Sequence, residues 1–264
     1  MKNLIILILS ATIGACAPPQ SKTSNSSKTL GSIASKYETS ANRLIEAALK
    51  DTSGFERLAE MCDTFGPRFS GTDNLEKAID WILSEMNRDG LSNVHGEAVM
   101  IPKWVRGNES AHMVSPWKKE LHMLGLGGSI GTPPEGITAD VMVVSSFDEL
   151  EDRSDEAKGK IVLFNVPFTN YGKTVSYRSG GAVAASKAGA VASIIRSVGP
   201  YSMNTPHTGN SRYEEGIRKI PHAAITVEDA AMIGRMVNRG QTVTVNLKME
   251  GRYEEDVPSR NAVA

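Results

Sequence analysis

Short apolar stretches alternate with helical segments between residues 139 and 249, and this alternation constrains the fold more than any other feature. The pattern predicts strands at residues 141–144, 159–164, 191–195, 223–226 and 242–249, and helices at residues 146–157, 179–189 and 227–238. Thr226 has the side chain to cap the last of these helices. Such an order is typical of a sheet covered by helices, so we predict an α/β or α+β module from about residue 121 to 249.

The preceding region is predicted to be mostly helical. Apolar residues recur at helical spacing over residues 41–49, 55–64 and 75–86. Thr72 or Asp73 can cap the third helix, and Gly90 follows its end. Two strands are predicted at residues 94–101 and 121–126. Amphipathic helices need a sheet to cover, and the sequence near these three supplies no large one.

Composition excludes few function classes. The 264 residues are enough for one large or two ordinary domains, and 40% of them are hydrophobic and 22% charged. The formal net charge of −1 gives no global field that would attract nucleic acid or an anionic membrane. No nucleic-acid partner is therefore expected.

The amino terminus carries an export signal. Lys2 is followed by an apolar run at residues 4–9, far shorter than the ~20 residues that span a bilayer. Ile13-Gly14-Ala15-Cys16 resembles a bacterial lipobox, in which the cysteine is acylated after cleavage. The alternative is an ordinary signal peptide that contains a cysteine. Residues 17–36 are predicted to be a flexible tether, so the protein should be extracytoplasmic and lipid-anchored or secreted, or lysosomal or extracellular in a eukaryote.

The two cysteines, Cys16 and Cys62, do not indicate a disulfide framework or a cysteine-based zinc site. Cys62 shares an apolar helical face with Phe55, Leu58 and Ala59. We predict that it is a buried small hydrophobic residue rather than a nucleophile.

A family resemblance rests on several motifs. The stretch LGLGGSIGTPPEGITADVMVVSSFDEL at residues 124–150 resembles the entry into the inserted lid domain of the carboxypeptidase Q family, also called plasma glutamate carboxypeptidase. Gly66-Pro67-Arg68-Phe69-Ser70-Gly71 and residues 74–78 extend the resemblance, which covers residues 37–264. Residues 159–163, 187–190 and 220–225, in that order, resemble a protease-associated domain.

The resemblance implies a zinc-dependent peptidase that splits dipeptides or small peptides and holds two zinc ions in the whole protein. Its α/β peptidase domain would start at residues 37–120, be interrupted by a protease-associated domain at 121–249 and resume at 250–264. Residues 261–264 would begin the next strand, so the chain would be truncated before the catalytic sheet is complete. The family's zinc ligands would all follow Ala264. No catalytic residue and no bound zinc is therefore expected in this chain, while a homodimer stays open.

The sequence contains no other catalytic pattern that we recognise. Its five histidines (His95, His112, His122, His207 and His222) do not form a His-Glu-x-x-His or His-x-Asp spacing, so structural or surface roles are expected for them. The glycines at residues 125–131 miss the spacing of a dinucleotide loop, which favours a conformational role.

Two polar positions are candidates for a substrate cleft. Arg68 lies in a rigid Gly-Pro turn and could hold a carboxylate bidentately, although a structural salt bridge is the alternative. His207 lies in a long polar loop at residues 202–209, and such loops often reach over an active site.

A second function class stays open at this point. The chain could be a non-catalytic, lipid-tethered binding or interaction module built on a protease-associated domain. Coding sequence beyond Ala264 would favour the peptidase, and a stop codon there would favour the module.

Overall fold

The computed structural model describes residues 26–264, with side chains at residue 31 and from residue 33 onward. The chain divides into two compact units after Glu60. The amino-terminal helices are α1 (Ser26–Lys50) and α2 (Ser53–Phe65). Between them Asp51 accepts hydrogen bonds from the backbone N–H and the hydroxyl of Ser53, which lower the pKa of Asp51.

These helices confirm the predicted periodicity and correct two expectations. The tether predicted at residues 17–36 is helical from Ser26 onward, because Ile33 and Tyr37 already follow helical spacing; Cys16 and residues 17–25 lie outside the described residues. Cys62 is exposed rather than buried, since the apolar face of α2 has no buried residue. The amphipathic pattern predicted which face of the helix is apolar, but it did not predict whether other residues cover that face.

The remaining elements follow in chain order: α3 (Asp73–Arg88), β1 (His95–Ile101), β2 (Trp104–Val105), β3 (Glu109–Ser115), β4 (Lys119–Leu121), β5 (Met123–Gly125), β6 (Ile137–Val144), α4 (Phe147–Asp152), α5 (Ser154–Ala157), β7 (Ile161–Phe164), α6 (Tyr171–Lys187), β8 (Ala192–Arg196), β9 (His222–Ile225), α7 (Val227–Asn238), β10 (Thr244–Met249), β11 (Arg252–Tyr253) and β12 (Val257–Val263).

One mixed sheet of eight strands dominates the second unit, in the order β4-β3-β10-β6-β7-β8-β9-β5. Strands β6 to β9 are parallel, and the strands beside them are antiparallel. The strand predicted at residues 121–126 is in fact two strands, β4 and β5, at opposite edges of this sheet. They are separated only by His122, so the sheet curls until its edges approach. His122 is fixed at this bend because its N–H donates to Asp229 and its carbonyl accepts from Thr226.

The sheet also begins earlier than predicted. β3 pairs with β10 from Glu109 to Ser115, so residues assigned to the first part of a peptidase domain belong to the same sheet as residues 121–249. The sheet that contains most of residues 121–249 therefore includes a strand, Glu109–Ser115, that lies before the predicted boundary at residue 121. The alternation of Ala111 and Met113, both fully buried, with exposed His112 was the available signal.

The core lies on both faces of the sheet. One cluster joins the face of α7 to the strands, with Ile194, Ile225 and Ile233 fully buried. The other lies under α4 and α6 and includes Phe164 and Ala185. The continuous apolar run in β7 is explained by this burial on two sides.

Side-chain caps set the helix starts. Thr226 Oγ1 accepts from Asp229 N at 3.2 Å and Thr72 Oγ1 accepts from Leu75 N at 3.3 Å, which confirms both predicted caps. Asn170 Oδ1 accepts from Lys173 N at 3.0 Å, so α6 begins eight residues before the predicted start at residue 179.

The last residues return to the region before the large sheet. β12 pairs with β1 along its whole length and packs against α3, while β11 pairs with β2. The strand predicted to start at residue 261 begins at Val257 and has a partner. Ser259 donates to Glu76 at 2.6 Å, and Arg260 contacts Glu76 and Asp80, which tie β12 to α3.

Within residues 26–264, no helix has the length and hydropathy that a membrane crossing requires.

Candidate functional site

The turn at residues 66–71 holds Arg68 in a fixed position. Gly66 and Gly71 have φ of +59° and +78°, values that favour glycine. Arg68 Nη1 donates to the carbonyls of Met61 and Gly66, at the end of α2. The predicted salt bridge of Arg68 does not form with any carboxylate of the described residues. The guanidinium is anchored by backbone carbonyls instead.

The glycine-rich stretch after β5 has the conformational role expected of it. Gly127 N donates to Gly209 O at 2.8 Å, and Ser211 N donates to Gly127 O at 2.9 Å. These bonds join the stretch to the long connection between β8 and β9. Gly128 has φ of +78°, and a Cβ there would lie 2.8 Å from the Tyr253 hydroxyl. Glycine is thus required by close approach and backbone conformation, not by a phosphate.

A cavity of about 340 Å³ lies where these segments meet. Its walls come from five separate stretches of the second unit: the Arg68 turn, the Trp104 region, the glycine-rich stretch, residues 210–211 and Tyr253. The sequence singled out the turn, the glycines and the polar loop separately. It gave no sign that they share one cavity, because their separations in the chain match no motif.

His207 lies elsewhere on the polar loop, exposed to solvent and outside the cavity lining. The His207 ring meets the Tyr171 ring edge-on, with centroids 5.9 Å apart. The backbone N–H of His207 donates to Ser197 Oγ at 3.0 Å. Tyr171 OH accepts from Arg178 Nη2 at 2.8 Å. Arg68 and His207 therefore do not line the same cavity.

The start of the polar loop is held firmly. Glu228 accepts from Ser202 Oγ at 2.6 Å and from Met203 N at 3.1 Å. These bonds, led by that of Ser202, lower the pKa of Glu228. Met203 and Asn204 have φ of 50° and 62°, unusual for residues other than glycine. The hydrogen bonds to Glu228 thus stabilise a loop conformation that these two residues adopt infrequently on their own.

His222 is a core histidine. It is fully buried, and its ring nitrogens lie 3.3 Å from Ser193 O and 3.1 Å from Arg178 O. Burial lowers its pKa to about 4, although the backbone hydrogen bonds oppose the shift. The ring is therefore neutral at pH 7, which confirms the structural role predicted for it.

Sequence comparison decides the relationship. Mouse carboxypeptidase Q is 51% identical over 231 residues, which are 86% of this chain and 49% of the mouse protein. Human carboxypeptidase Q is 54% identical over 210 residues, 80% of this chain and 44% of its own. The Xenopus laevis protein is 48% identical over 271 residues, covering 100% of this chain and 58% of the relative.

Carboxypeptidase Q proteins are homologues of this chain, at about 50% identity over most of its length. No protein-family model matches the chain. The chain spans about half the length of the curated relatives it matches.

Solved structures agree with this relationship. The crystal structure of a peptidase M28 precursor from Shewanella amazonensis superposes with a TM-score of 0.81 at 32% identity, over 86% of this chain and 53% of that one. A zinc aminopeptidase from Bacillus subtilis superposes with a TM-score of 0.53 at 24% identity, over 78% of this chain and 44% of that one, and supports the fold alone.

The described residues do not fit a zinc centre. Over residues 26–264, no three His, Cys, Asp or Glu side chains come together in a way that could hold a metal ion. The pairs that do form are incomplete. His122 Nδ1 lies 3.7 Å from Asp229, whose other oxygen already accepts from Lys119 at 2.8 Å. His95 lies 3.7 Å from Glu97 on an exposed strand.

Proposed function

We propose that this chain is one part of an extracytoplasmic zinc-dependent peptidase that hydrolyses dipeptides and other small peptides. The observation that carries the proposal is the identity of about half with carboxypeptidase Q proteins over most of the chain. The activity belongs to the whole protein, because the chain spans about half of those relatives.

The metal ligands are proposed to lie in the portion of the relatives that has no counterpart here. Catalytic zinc requires about three protein ligands per ion in fixed geometry, and the described residues do not supply such a group. The chain alone should therefore bind no catalytic zinc, and the two ions and the catalytic residues would be held by the other portion.

Metal analysis and a dipeptide hydrolysis assay on the same dialysed sample test this. The chain alone should give neither zinc nor turnover, whereas a chimera joined to the remaining portion of a carboxypeptidase Q relative should give roughly two zinc ions per chain and turnover. Stoichiometric zinc with hydrolysis by the chain alone would contradict the proposal.

We propose that residues 121–249 form a protease-associated domain inserted in the peptidase domain. Support comes from the ordered resemblance of residues 159–163, 187–190 and 220–225, which lie at β7, after α6 and at β9. His207 would then lie near the cleft of the complete enzyme. In the chimera, His207→Gln should lower kcat/KM, whereas His95→Gln, on exposed β1, should not. Equal effects of the two substitutions on kcat/KM would contradict the placement of His207 near the cleft.

Membrane attachment is proposed to occur through Cys16. The support is Ile13-Gly14-Ala15-Cys16 after a short apolar run. Two or three acyl chains would give stable anchoring, where one is marginal. In a bacterial host, mass spectrometry should show an acylated amino terminus that Cys16→Ala abolishes and Cys62→Ala preserves. An unmodified protein in the soluble fraction would contradict it.

A second candidate function is a non-catalytic, lipid-tethered binding module. The cavity at Arg68 favours it, because a binding site there needs no metal. This function predicts that the chain alone binds its ligand, and that the chimera gains no hydrolysis.

A further inference from the structure

The cavity at Arg68 has the features of a small-molecule site. Its volume of about 340 Å³ lies at the lower end of the range for ligand pockets, which suits a molecule of amino-acid or dipeptide size. Aromatic and polar groups both face it. Phe69 and Trp104 pack edge to face with centroids 6.3 Å apart, and Trp104 Nε1 donates to Ser129 O at 2.9 Å. This wall is therefore held rigid by contacts of its own.

Arg68 presents one edge of its guanidinium without a strong partner. Nη1 is occupied by the carbonyls of Met61 and Gly66. Nη2 makes only a 3.9 Å contact with Cys62 Sγ, and no carboxylate of residues 31–264 pairs with the group. The edge formed by Nε and Nη2 has the fork geometry that binds a carboxylate bidentately. A positioned cation without a counter-ion favours an anionic ligand.

Two further residues with hydroxyl groups, Ser211 and Tyr253, line the same cavity. Ser211 Oγ is shielded from solvent and has no hydrogen-bond partner among the described residues. A buried hydroxyl without a partner carries a desolvation cost, which is relieved when the side chain rotates to meet a ligand in the cavity. The Tyr253 hydroxyl approaches Gly128 closely enough that a Cβ there would lie 2.8 Å from it. The missing side chain of Gly128 thus keeps this wall open.

We propose that this cavity binds the carboxylate end of a small peptide or of a released amino acid. Arg68 would hold the carboxylate through Nε and Nη2, Ser211 and Tyr253 would supply hydrogen bonds, and the Phe69 and Trp104 rings would contact an apolar side chain. The peptide class of the ligand rests on the proposed function; the anion preference and the size limit rest on the cavity itself.

Isothermal titration of the 264-residue chain tests the site directly, with Ala-Phe, Ala-Phe amide and inorganic phosphate as probes. Ala-Phe should bind saturably, and its amide at least about tenfold more weakly, because the charge-assisted pair with Arg68 is lost. Arg68→Gln should weaken Ala-Phe binding to a similar extent. Arg235→Gln, an exposed arginine on α7, is the matched control and should leave binding unchanged.

Arg68 also caps the end of α2, so Arg68→Gln could unfold locally. Tyr253→Ala provides a second variant, because its side chain is 57% exposed and its loss leaves the core intact. It should weaken binding by about threefold or more. Absence of saturable binding, equal affinity for the amide, phosphate binding as tight as that of Ala-Phe, or unchanged affinity of both variants would each overturn the proposal.

Hydrolysis is not measured in this titration. Failure to bind Ala-Phe would remove the inferred site and leave the proposed peptidase standing. If the chimera does not hydrolyse dipeptides but the chain still binds Ala-Phe, the proposed function is contradicted and the inferred site is retained.

Discussion

The eight-stranded sheet and the helices α1 and α2 are both rich in apolar residues, yet these residues end in opposite environments. In the sheet region, Ile161, Leu163, Ile194 and Ile225 are fully buried. In α1 every described side chain is exposed, including Leu44 at 72% and Leu49 at 82%.

The difference shows what hydrophobic periodicity can and cannot predict. It identifies which face of an element avoids water, because apolar surface is stabilised by burial at roughly 25 cal/mol per Å². It does not identify the partner that covers this face. In the sheet the partner is in the same unit, since α6 and α7 follow their strands directly. For α1, no described residue of the first unit covers the apolar face.

Hydrogen exchange should show the largest contrast between these regions. Amides of β7 should exchange only through global unfolding, with an opening free energy of about 5–15 kcal/mol. Amides of α1 should open locally, with free energies near zero. α3 serves as the internal control, because it packs on β12 and should lie between them. Equal protection in α1 and β7 would show that the face of α1 is covered in solution.

Truncation of one side chain in each region should sharpen the comparison. Phe164 is 1% exposed and its ring lies 5.3 Å from that of Phe147, so Phe164→Ala should lower the free energy of unfolding by about 3–5 kcal/mol. Leu44→Ala should change it by less than about 0.5 kcal/mol. Urea denaturation of both variants measures the difference. A comparable loss in Leu44→Ala would contradict the exposed state of α1.

Local chemistry explains the parts of the fold that sequence predicted well. The helix at Val227–Asn238 has the predicted bounds, because Thr226 and the acidic first turn act within one helical turn. Long-range pairing explains the errors. β3 was missed because its partner, β10, lies more than a hundred residues later, and the break at His122 depends on Asp229.

The candidate site was less predictable than the fold. Arg68 was identified because a cation in a Gly-Pro turn is unusual, but its carbonyl partners could not be read from the sequence. Trp104, Ser211 and Tyr253 were not identified as site residues, since nothing local marks them. They reach the cavity only after β11 pairs with β2 and Gly127 bonds to the β8–β9 connection.

A pH titration should affect the sheet region and leave α1 unaffected. The pKa of His222 falls from 6.5 to about 4 on folding, so the unfolded state binds more protons between these values. Stability is therefore complete above about pH 6.5 and declines as the pH falls toward 4. The loss should be about 1.5 kcal/mol between pH 6.5 and 5. His222→Gln should remove this slope, and His112→Gln, exposed on β3, should retain it; an unchanged slope in His222→Gln would contradict the assignment.

The smallest expected difference concerns the two predicted helix caps, one before β3 in the chain and one after it. Thr226 caps α7 in the buried core, whereas Thr72 caps α3 beside β12. Each hydroxyl satisfies one backbone N–H, so each Thr→Ala change should cost about 1 kcal/mol. Thr226→Ala should cost more, because Thr226 is fully buried and its change leaves Asp229 N without an acceptor away from water. Thr226→Ser and Thr72→Ser keep the hydroxyl and serve as controls in thermal denaturation. If Thr72→Ala proves the more costly change, then α3 and β12 contribute more to the cooperative unfolding of this unit than the burial of the sheet implies.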